Sequence, residues 1–382
     1  MKITLSTKHL KLRIVLFVVF FIIAVVAFTN GVVNIGKKSA GYHTITANTD
    51  ADALTYNNAV TFNYYFDGSS NEIKREIKEL TSVYTSLLSS AYKSLDCVNQ
   101  YNGVVSIGAI NSNLGSTVSV SPQLYEVLKD AYAKTLENKG YNMFAGALYS
   151  EWQSILILDE PLDFDPYFND FEAKRISDIA AMVNDLTNFK LEFLDEEKCL
   201  VRFDVSPAYK DFCTEYEIEA VAINLNLLKD AYMFDMLAKG LTDNGYNLGY
   251  LANKEGLAVC LSSRGTLQYD LYYLKDGKEE VFSTAYQTGV FSAASFTSFG
   301  YGSPYGYSFE IGNDIFYRHQ YFDVRNGEFN NVIMSLSIIS DDMNIVENAY
   351  QCIIFNTLNT KSEVEYYKNR MGSSLIISYA PQ

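Results

Sequence analysis

The chain is poor in the residues on which several kinds of functional site depend. Its 382 residues include three histidines, one tryptophan, six prolines and five cysteines. His9 and His43 flank the N-terminal apolar segment, so a histidine-rich metal site is excluded and catalysis by histidine could use only His319. The cysteines are odd in number, widely spaced and contain no Cys-x-x-Cys pair. Neither a zinc site nor a disulfide framework is therefore predicted.

The charge of the chain excludes a further class of function. Acidic residues outnumber basic ones by 45 to 30, which gives a net charge of −15 at pH 7. Nucleic acid binding relies on Lys and Arg to neutralise phosphates, so we expect no nucleic acid partner. With 48% hydrophobic residues the composition is globular, and the length suits one large domain or two modest ones.

The N-terminus has the pattern of a membrane segment. Ile14 to Phe28 is an unbroken apolar run behind four basic residues, and its extension to Ile35 reaches the ~20 residues that a bilayer span needs. The basic flank predicts a cytoplasmic N-terminus. A cleaved signal peptide and an uncleaved signal anchor both remain open, and the poor cleavage pattern around Ala24 to Thr29 favours the anchor.

These patterns predict a single-pass membrane protein whose body lies outside the cytoplasm. Residues 1–37 are expected to form the cytoplasmic flank and transmembrane signal anchor. Residues 38–57 are polar and rich in Thr, Asn and Ala, and we interpret them as a tether. Residues 58–382 are expected to form the extracytoplasmic domain.

Helical and strand patterns are mixed in this body. Apolar residues recur at helical spacing from Ile73 to Tyr92, and Ser121-Pro122 has the N-cap and first-turn chemistry of a second helix. Two strand-like runs flank Asp276-Gly277 and predict a β-hairpin. Further helices are expected over 171–184, 228–243 and 345–355, and further strands around 60–66, 290, 309 and 332–339. The absence of strict βαβ alternation predicts an α+β fold in one continuous body.

Two segments are candidates for ligand binding by composition alone. Asp159 to Asp165 holds four carboxylates in seven residues, which suits a hard cation such as calcium, but the spacing fits no calcium loop, and a solvated loop is the favoured interpretation. Gly300 to Gly306 resembles a glycine loop able to approach phosphate. It lacks the strand-then-helix context of such loops, so a connecting turn is favoured.

The order of several landmarks resembles the flavin transferase family known as ApbE. Residues 109–111, 120–128, 140–142 and 146–152 follow the sequence of landmarks in the first half of that family. Asn224 to Asp235 aligns without gaps with the family's D-L-G-G-I-A-K-G-Y-A-A-D. Three more segments match in the second half of the family. Residues 290–296 are similar to A-V-A-T-S-G-D-Y, residues 321–327 are similar to I-I-D-P-R-T-G, and residues 347–352 are similar to A-D-A-L-A-T. The resemblance spans about residues 58 to 358.

The resemblance implies a fold, a reaction and a set of site residues. Members of the family move FMN from FAD to a Thr or Ser of an exported protein, with magnesium. The resemblance implies FAD and magnesium as cofactors and an exported protein as partner. It also implies a cleft lined by both halves of the chain, near Asn142, Asp230, Asp235, Ser292, His319 and Asp323. Carried over position by position, the implied catalytic residues are His319 and Asp323, the cofactor-binding residues are Asn142, Asn226, Asp230, Asp235, Ser292 and Ser295, and the metal positions are Asn348 and Cys352.

This chain departs from the family pattern at the positions that handle magnesium and diphosphate. The metal-binding aspartate and threonine become Asn348 and Cys352, which removes one charge and one good oxygen ligand. The two glycines beside the nucleotide become Asn226 and Leu227, and the lysine becomes Asp230, which inverts the local charge.

Departures also occur at one implied cofactor-binding position and beside one implied catalytic position. Asn142 replaces an aspartate, and Gln320 occupies the histidine position with His319 one residue away.

These departures favour a silent relative over a working enzyme. We predict a membrane-anchored, extracytoplasmic binding or scaffold module of the flavin transferase type, with impaired or absent transfer. Two alternatives remain open: an active magnesium-dependent flavin transferase with a rebuilt site, and a surface protein that binds flavin or nucleotide without transferring it.

Overall fold

The computed structural model describes residues 38–48, 60–275, 277–298, 306–372 and 375–381. The predicted membrane segment, residues 1–37, lies outside these ranges, as does most of the glycine-containing segment at 300–306. Within them, no helix is both long and apolar enough to cross a membrane.

A seven-stranded sheet forms the centre of the molecule. All of its neighbouring strands pair antiparallel, in the order β1-β2-β6-β7-β10-β13-β14. These strands are β1 (Gly41–Ile45), β2 (Thr61–Phe66), β6 (Gly249–Ala252), β7 (Leu257–Cys260), β10 (Phe291–Thr297), β13 (Ile333–Ser340) and β14 (Leu375–Pro381).

Three smaller sheets complete the strand inventory of the described residues. One has the order β3-β5-β4, and two are hairpins, β8-β9 and β11-β12. Their bounds are β3 (Thr117–Ser119), β4 (Phe189–Asp195), β5 (Leu200–Val205), β8 (Leu267–Lys275), β9 (Lys278–Gln287), β11 (Tyr307–Ile311) and β12 (Asp314–Arg318). The predicted hairpin around residue 277 is the β8-β9 pair.

The described α-helices begin mostly at residues whose side chains cap them. Ser121 accepts a hydrogen bond from the Leu124 amide before Pro122 starts its helix, and Ser69 forms a capping box with Glu72. The helices are α1 (Ser70–Leu95), α2 (Ile107–Ser112), α3 (Pro122–Glu137), α4 (Gly146–Leu156), α5 (Asp170–Asn184), α6 (Pro207–Glu215), α7 (Lys229–Asp243), α8 (Ile345–Phe355) and α9 (Lys361–Arg370). Each predicted helix matches one of these within a few residues.

One hydrophobic cluster joins the two halves of the chain. Phe62 and Phe144 from the first half and Phe234, Phe296 and Phe355 from the second are all buried within it. Helix α8 packs against β10 and β13, and α7 packs against α1 and α8. The mixed α+β architecture expected from the sequence is confirmed.

Part of the segment interpreted as a tether forms a strand of the central sheet. Gly41–Ile45 pairs antiparallel with Thr61–Phe66 as an edge strand of the central sheet. Ile45 is buried, and the His43 ring contacts the Phe66 ring at 5.6 Å. The polar composition of residues 38–57 concealed this strand, because an edge strand needs only one buried face.

Candidate functional site

A cavity of about 270 Å³ lies where both halves of the chain meet. It is bounded by α4, the start of α7, the turn between β6 and β7, β10, the segment at 320–322, and α8. The residues that line it are Tyr149, Trp152, Gln153, Leu156, Asn224, Asn226, Leu227, Lys229, Asp230, Glu255, Leu257, Ala294, Ser295, Gln320, Tyr321, Phe322, Ala349, Cys352 and Ile353.

Four of the ten site residues implied by the resemblance line this cavity, namely Asn226, Asp230, Ser295 and Cys352. The other six are absent from its wall: Asn142, Asp235, Ser292, His319, Asp323 and Asn348. The expectation that Asn142, Asp230, Asp235, Ser292, His319 and Asp323 share one cavity is therefore wrong. Each of the six has another place in the fold.

Asn142 and Asp235 serve the structure around the cavity. The Asn142 amide donates to the Val183 carbonyl at 2.8 Å, and its side-chain oxygen accepts from the Phe144 amide at 2.8 Å. Its own carbonyl accepts from the Asn226 side chain at 3.2 Å, so Asn142 supports the cavity wall from behind. Asp235 pairs with Lys239 at 2.7 Å on the surface of α7.

His319 is a buried neutral imidazole. It is 2% exposed, its Nδ1 accepts from the Tyr321 amide at 3.0 Å, and its Nε2 has no hydrogen-bond partner among the described residues. Burial, with the charge of Arg318 as a smaller cause, lowers the pKa of His319 to about 3. Its neighbours Gln320 and Tyr321 reach the cavity, whereas the imidazole packs near Phe329.

Asp323 holds a turn together. Its carboxylate accepts from the Arg325 side chain at 2.6 Å, and its carbonyl accepts from the Gly327 amide at 2.7 Å. The Gly327 carbonyl in turn accepts from the Trp152 indole at 2.9 Å. At φ +78° a side chain at Gly327 would be strained and would meet Ile176, which explains the glycine. Trp152, Asp323 and Gly327, three landmarks of the resemblance, thus form one structural unit.

The residues at the metal positions do not fit magnesium. The Asn348 amide donates to the Ser292 hydroxyl at 2.9 Å and to the Ser340 hydroxyl at 2.8 Å, so its nitrogen, a donor, faces these oxygens. Burial raises the pKa of the Cys352 thiol far above its usual value, and its sulfur lies 3.6 Å from the Ala294 carbonyl. Magnesium wants anionic or carbonyl oxygens. In the described residues, no group of three or more His, Cys, Asp or Glu side chains could hold a metal ion.

The wall at residues 226–227 is occupied by side chains. Asn226 has φ +49°, a left-handed conformation that glycine adopts more easily, and its side-chain oxygen is buried without a hydrogen-bond partner in the described part of the chain. Leu227 packs its side chain against the core and also lines the cavity. A ligand therefore cannot approach the backbone here as closely as glycines would allow.

Two carboxylates of the cavity lie without a counter-ion. Among the described residues, Asp230 and Glu255 accept no hydrogen bond from a side chain and have no cation within 4.0 Å. The Lys229 ammonium lies instead 5.1 Å from the centre of the Tyr92 ring.

The electrostatics of this pair are unfavourable to negative charge. Burial raises the pKa of Asp230, against the opposing charge of Lys229. Glu255 stands in the exposed turn between β6 and β7, but loss of water around its carboxyl, followed by the charge of Asp230, raises its pKa to about 7. Sequence reasoning found Asp230 and missed Glu255, because no motif marks a residue that reaches the site only through the fold.

The acidic segment at 159–165 differs from the solvated loop that was favoured. Residues Pro161–Phe164 form a short 3₁₀ helix, and Asp165 is fully buried. Its carboxylate accepts from Arg318 at 2.8 Å and from the Tyr307 hydroxyl at 2.6 Å. Asp165 is therefore half of a buried ion pair, while Asp159, Glu160 and Asp163 lie at or near the surface.

Comparison with known proteins identifies the fold. No family profile matches the chain, and no curated protein matches it in sequence. Among solved structures, the ApbE protein of Thermotoga maritima matches with a TM-score of 0.59 at 13% identity, over 89% of this chain and 96% of that one. The flavin transferase ApbE of Vibrio cholerae gives 0.54 at 11% identity, over 90% and 98%. The apo flavinyl transferase ApbE of Pseudomonas stutzeri gives 0.52 at 10%, over 90% and 95%.

The chain therefore has an ApbE-like fold with highly diverged sequence. The resemblance drawn from the order of landmarks is confirmed at the level of the fold.

Proposed function

We propose that this chain is a silent relative of the flavin transferases, a binding module that keeps their fold without their reaction. The observation that carries the proposal is the Asp230–Glu255 pair in the cavity. A breaking diphosphate needs positive charge or a metal ion beside it. In this cavity two carboxylates occur where positive charge would be needed, and Asn348 and Cys352 do not make a magnesium site.

The test is a calorimetric titration of the full chain with FAD at pH 8, with and without magnesium. At this pH the Glu255 carboxyl, with a pKa of about 7, is mostly ionised and repels the diphosphate, so we expect no saturable binding. Asp230→Lys should create measurable FAD affinity by replacing repulsion with attraction. Asp235→Lys is the matched control: it makes the same charge change on the same helix outside the cavity, and it should leave the titration flat.

A second measurement separates the silent module from its two alternatives. The chain is incubated with FAD, magnesium and a peptide that carries the family's acceptor threonine, and the peptide is weighed by mass spectrometry. An FMN-sized mass gain that chelation abolishes would establish an active transferase. Saturable FAD binding without mass gain would establish a flavin-binding protein. The silent module predicts neither.

We further propose that the body lies outside the cytoplasm, tethered to the membrane by residues 1–37, with an exported protein as partner. The apolar run behind a basic flank supports this topology. Protease added to intact cells should remove the body. Full protection of the body in intact cells, with cleavage after lysis, would contradict the topology.

A further inference from the structure

The segment from Ile157 to Phe171 exposes an unusual amount of apolar surface. Seven of its fifteen residues are large apolar side chains with exposed fractions from 41% at Leu158 to 71% at Phe171. The described residues contain eighteen such side chains in all, so this short segment holds a large share of them. Concentrated apolar surface of this kind marks interaction sites, whereas scattered exposed residues do not.

The fold holds this surface rigidly. Asp165, in the middle of the segment, is fixed by its ion pair with Arg318 and its hydrogen bond from Tyr307. The rings of Tyr167 and Phe168 pack against Phe309 of β11, at 5.8 and 5.0 Å between centroids. A surface that is already ordered loses little conformational entropy on binding.

A groove of about 550 Å³ continues from this surface. Tyr167 and Phe316 line it together with residues of α5 and the loop at 325–331. Asn331 also lines it, and within the residues that the structure describes its side-chain oxygen is buried without a hydrogen-bond partner. A buried acceptor without a donor is unfavourable, and an N–H group of a bound segment would satisfy it.

The charged side chains within the segment have one sign. Residues 157–173 contain six carboxylates and no Lys or Arg. Only Asp165 among them has an ion pair in the described part of the chain. The nearest basic residues in sequence, Lys174 and Arg175, are paired with Asp178 and Glu151. The two arginines that line the groove, Arg318 and Arg325, are paired with Asp165 and Asp323.

This charge selects among the possible occupants. A second copy of the chain would bring like charge to the same surface, and an anionic membrane would be repelled. A segment that alternates basic and apolar side chains would cover the exposed rings and neutralise the carboxylates together.

We propose that the surface from Ile157 to Phe171, with its groove, docks a basic, apolar segment of a protein partner. The position suits a partner delivered to the cavity, since α4, whose Trp152, Gln153 and Leu156 line the cavity, ends where the surface begins. The proposal is independent of whether the cavity binds flavin.

The test uses three fluorescent twelve-residue peptides and the full chain in a mild non-ionic detergent, followed by fluorescence anisotropy. One peptide combines Lys with Leu, the second replaces each Lys by Glu, and the third replaces each Leu by Ser. We expect saturable binding of the Lys/Leu peptide alone. Because every protein variant is measured in the same detergent, binding of peptide to micelles cancels in the comparison.

Variants assign the binding to the surface. Phe164→Ser with Phe171→Ser removes two exposed rings that make no ring contact in the described structure, and should weaken binding at least tenfold. Asp163→Asn with Asp170→Asn should weaken it several-fold and reduce its salt dependence. Val281→Ser with Tyr286→Ser removes similarly exposed apolar surface from β9 and should change nothing.

Other results would overturn the proposal. Equal affinity of the Lys/Leu peptide for the wild type and the Phe164→Ser, Phe171→Ser variant would mean that it binds elsewhere on an acidic protein. Equal binding of the Glu/Leu peptide would remove the role of charge. A third result would be that no peptide binds. If the wild type then self-associates and this variant does not, the occupant is a second copy of the chain. If the wild type instead binds zwitterionic vesicles and this variant does not, the occupant is a lipid surface.

Discussion

Asp165 and Asp230 are two acidic residues in protected places with opposite surroundings. Asp165 is fully buried but paired, with Arg318 at 2.8 Å and the Tyr307 hydroxyl at 2.6 Å. Asp230 lines the cavity beside Glu255 and has no cation within 4.0 Å among the described residues. Both were candidates from the sequence, and nothing in their local sequence separates them.

The difference lies in what the fold brings to each carboxylate. A buried charge that is paired and hydrogen-bonded is a structural element, and removing its partner is strongly destabilising. A carboxylate that loses water without gaining an ion-pair partner has a raised pKa, and its charge raises the energy of the folded state at neutral pH. The paired carboxylate of Asp165 therefore indicates a structural role, and the unpaired carboxylate of Asp230 indicates a functional site.

The largest expected effect comes from breaking the Asp165–Arg318 pair. Asp165→Asn leaves the Arg318 guanidinium, only 9% exposed, without its counter-charge. We expect the free energy of unfolding to fall by about 3–5 kcal/mol. Urea unfolding followed by the fluorescence of Trp152, the single tryptophan, measures it.

Asp163→Asn is the control for this change. It makes the same substitution two residues away at an exposed position, and the free energy of unfolding should change by no more than about 0.5 kcal/mol. Equal losses in the two variants would mean that Asp165 is not the anchor of this segment.

Asn348 tests whether the metal position can be restored in this fold. Asn348→Asp would place a carboxylate against the Ser292 and Ser340 oxygens and remove the amide donor that now binds both. We expect a loss of about 1–3 kcal/mol in the free energy of unfolding, measured by the same urea titration. Cys352→Thr, one turn later on α8, should cost less. Stabilisation of the Asn348→Asp variant by magnesium would contradict our description of this position.

Local signals in the sequence predicted much of the fold. Ser121-Pro122 marks the start of α3 through its own side-chain chemistry, and the turn around Gly277 joins β8 to β9 as expected. The strand β1 was missed, because its polar residues resemble a tether and its pairing partner lies about twenty residues away.

The site was predicted less well, for a physical reason. Glu255 belongs to the site only because the fold brings its turn near Asp230, and no spacing rule records that approach. His319 was selected by its chemical type, but burial and the Arg318 charge decide its state. Motif positions located the cavity wall at Asn226, Asp230, Ser295 and Cys352, while the other six residues have partners elsewhere in the fold.

His319 is a third kind of buried polar group, a neutral one whose Nε2 has no hydrogen-bond partner in the described ranges. Its pKa is about 3 in the folded chain and close to its usual 6.5 in the unfolded chain. Between these values the unfolded chain binds more protons, so the free energy of unfolding should fall as pH decreases from about 6.5 towards 3.

His319→Gln should remove part of this acid sensitivity. Glutamine can still accept from the Tyr321 amide and does not titrate. The measurement is the difference in the free energy of unfolding between pH 7 and pH 4.5, which should be smaller in the variant than in the wild type, by at most about 1.4 kcal/mol per pH unit. His43→Gln, at a half-exposed position on β1, should keep the wild-type difference. An unchanged difference in His319→Gln would show that the imidazole is protonated in the folded chain.

The smallest effect concerns the unpaired carboxylates themselves. The pKa of Glu255 is about 7 in the folded chain against a usual 4.5, so the folded chain binds more protons between these values and stability decreases as pH rises through about 7. Glu255→Gln removes this penalty: we expect a higher melting temperature at pH 8, by about 2–4 °C or less, and almost none of this gain at pH 4.5. Glu279→Gln, exposed on β9, should show no gain at either pH.

Because Asp230 supplies part of the pKa shift, the gain from Glu255→Gln at pH 8 should be smaller in an Asp230→Asn background. An equal gain in both backgrounds would mean that the two carboxylates do not interact, and the cavity would then lose the electrostatic feature that distinguishes it from the paired Asp165.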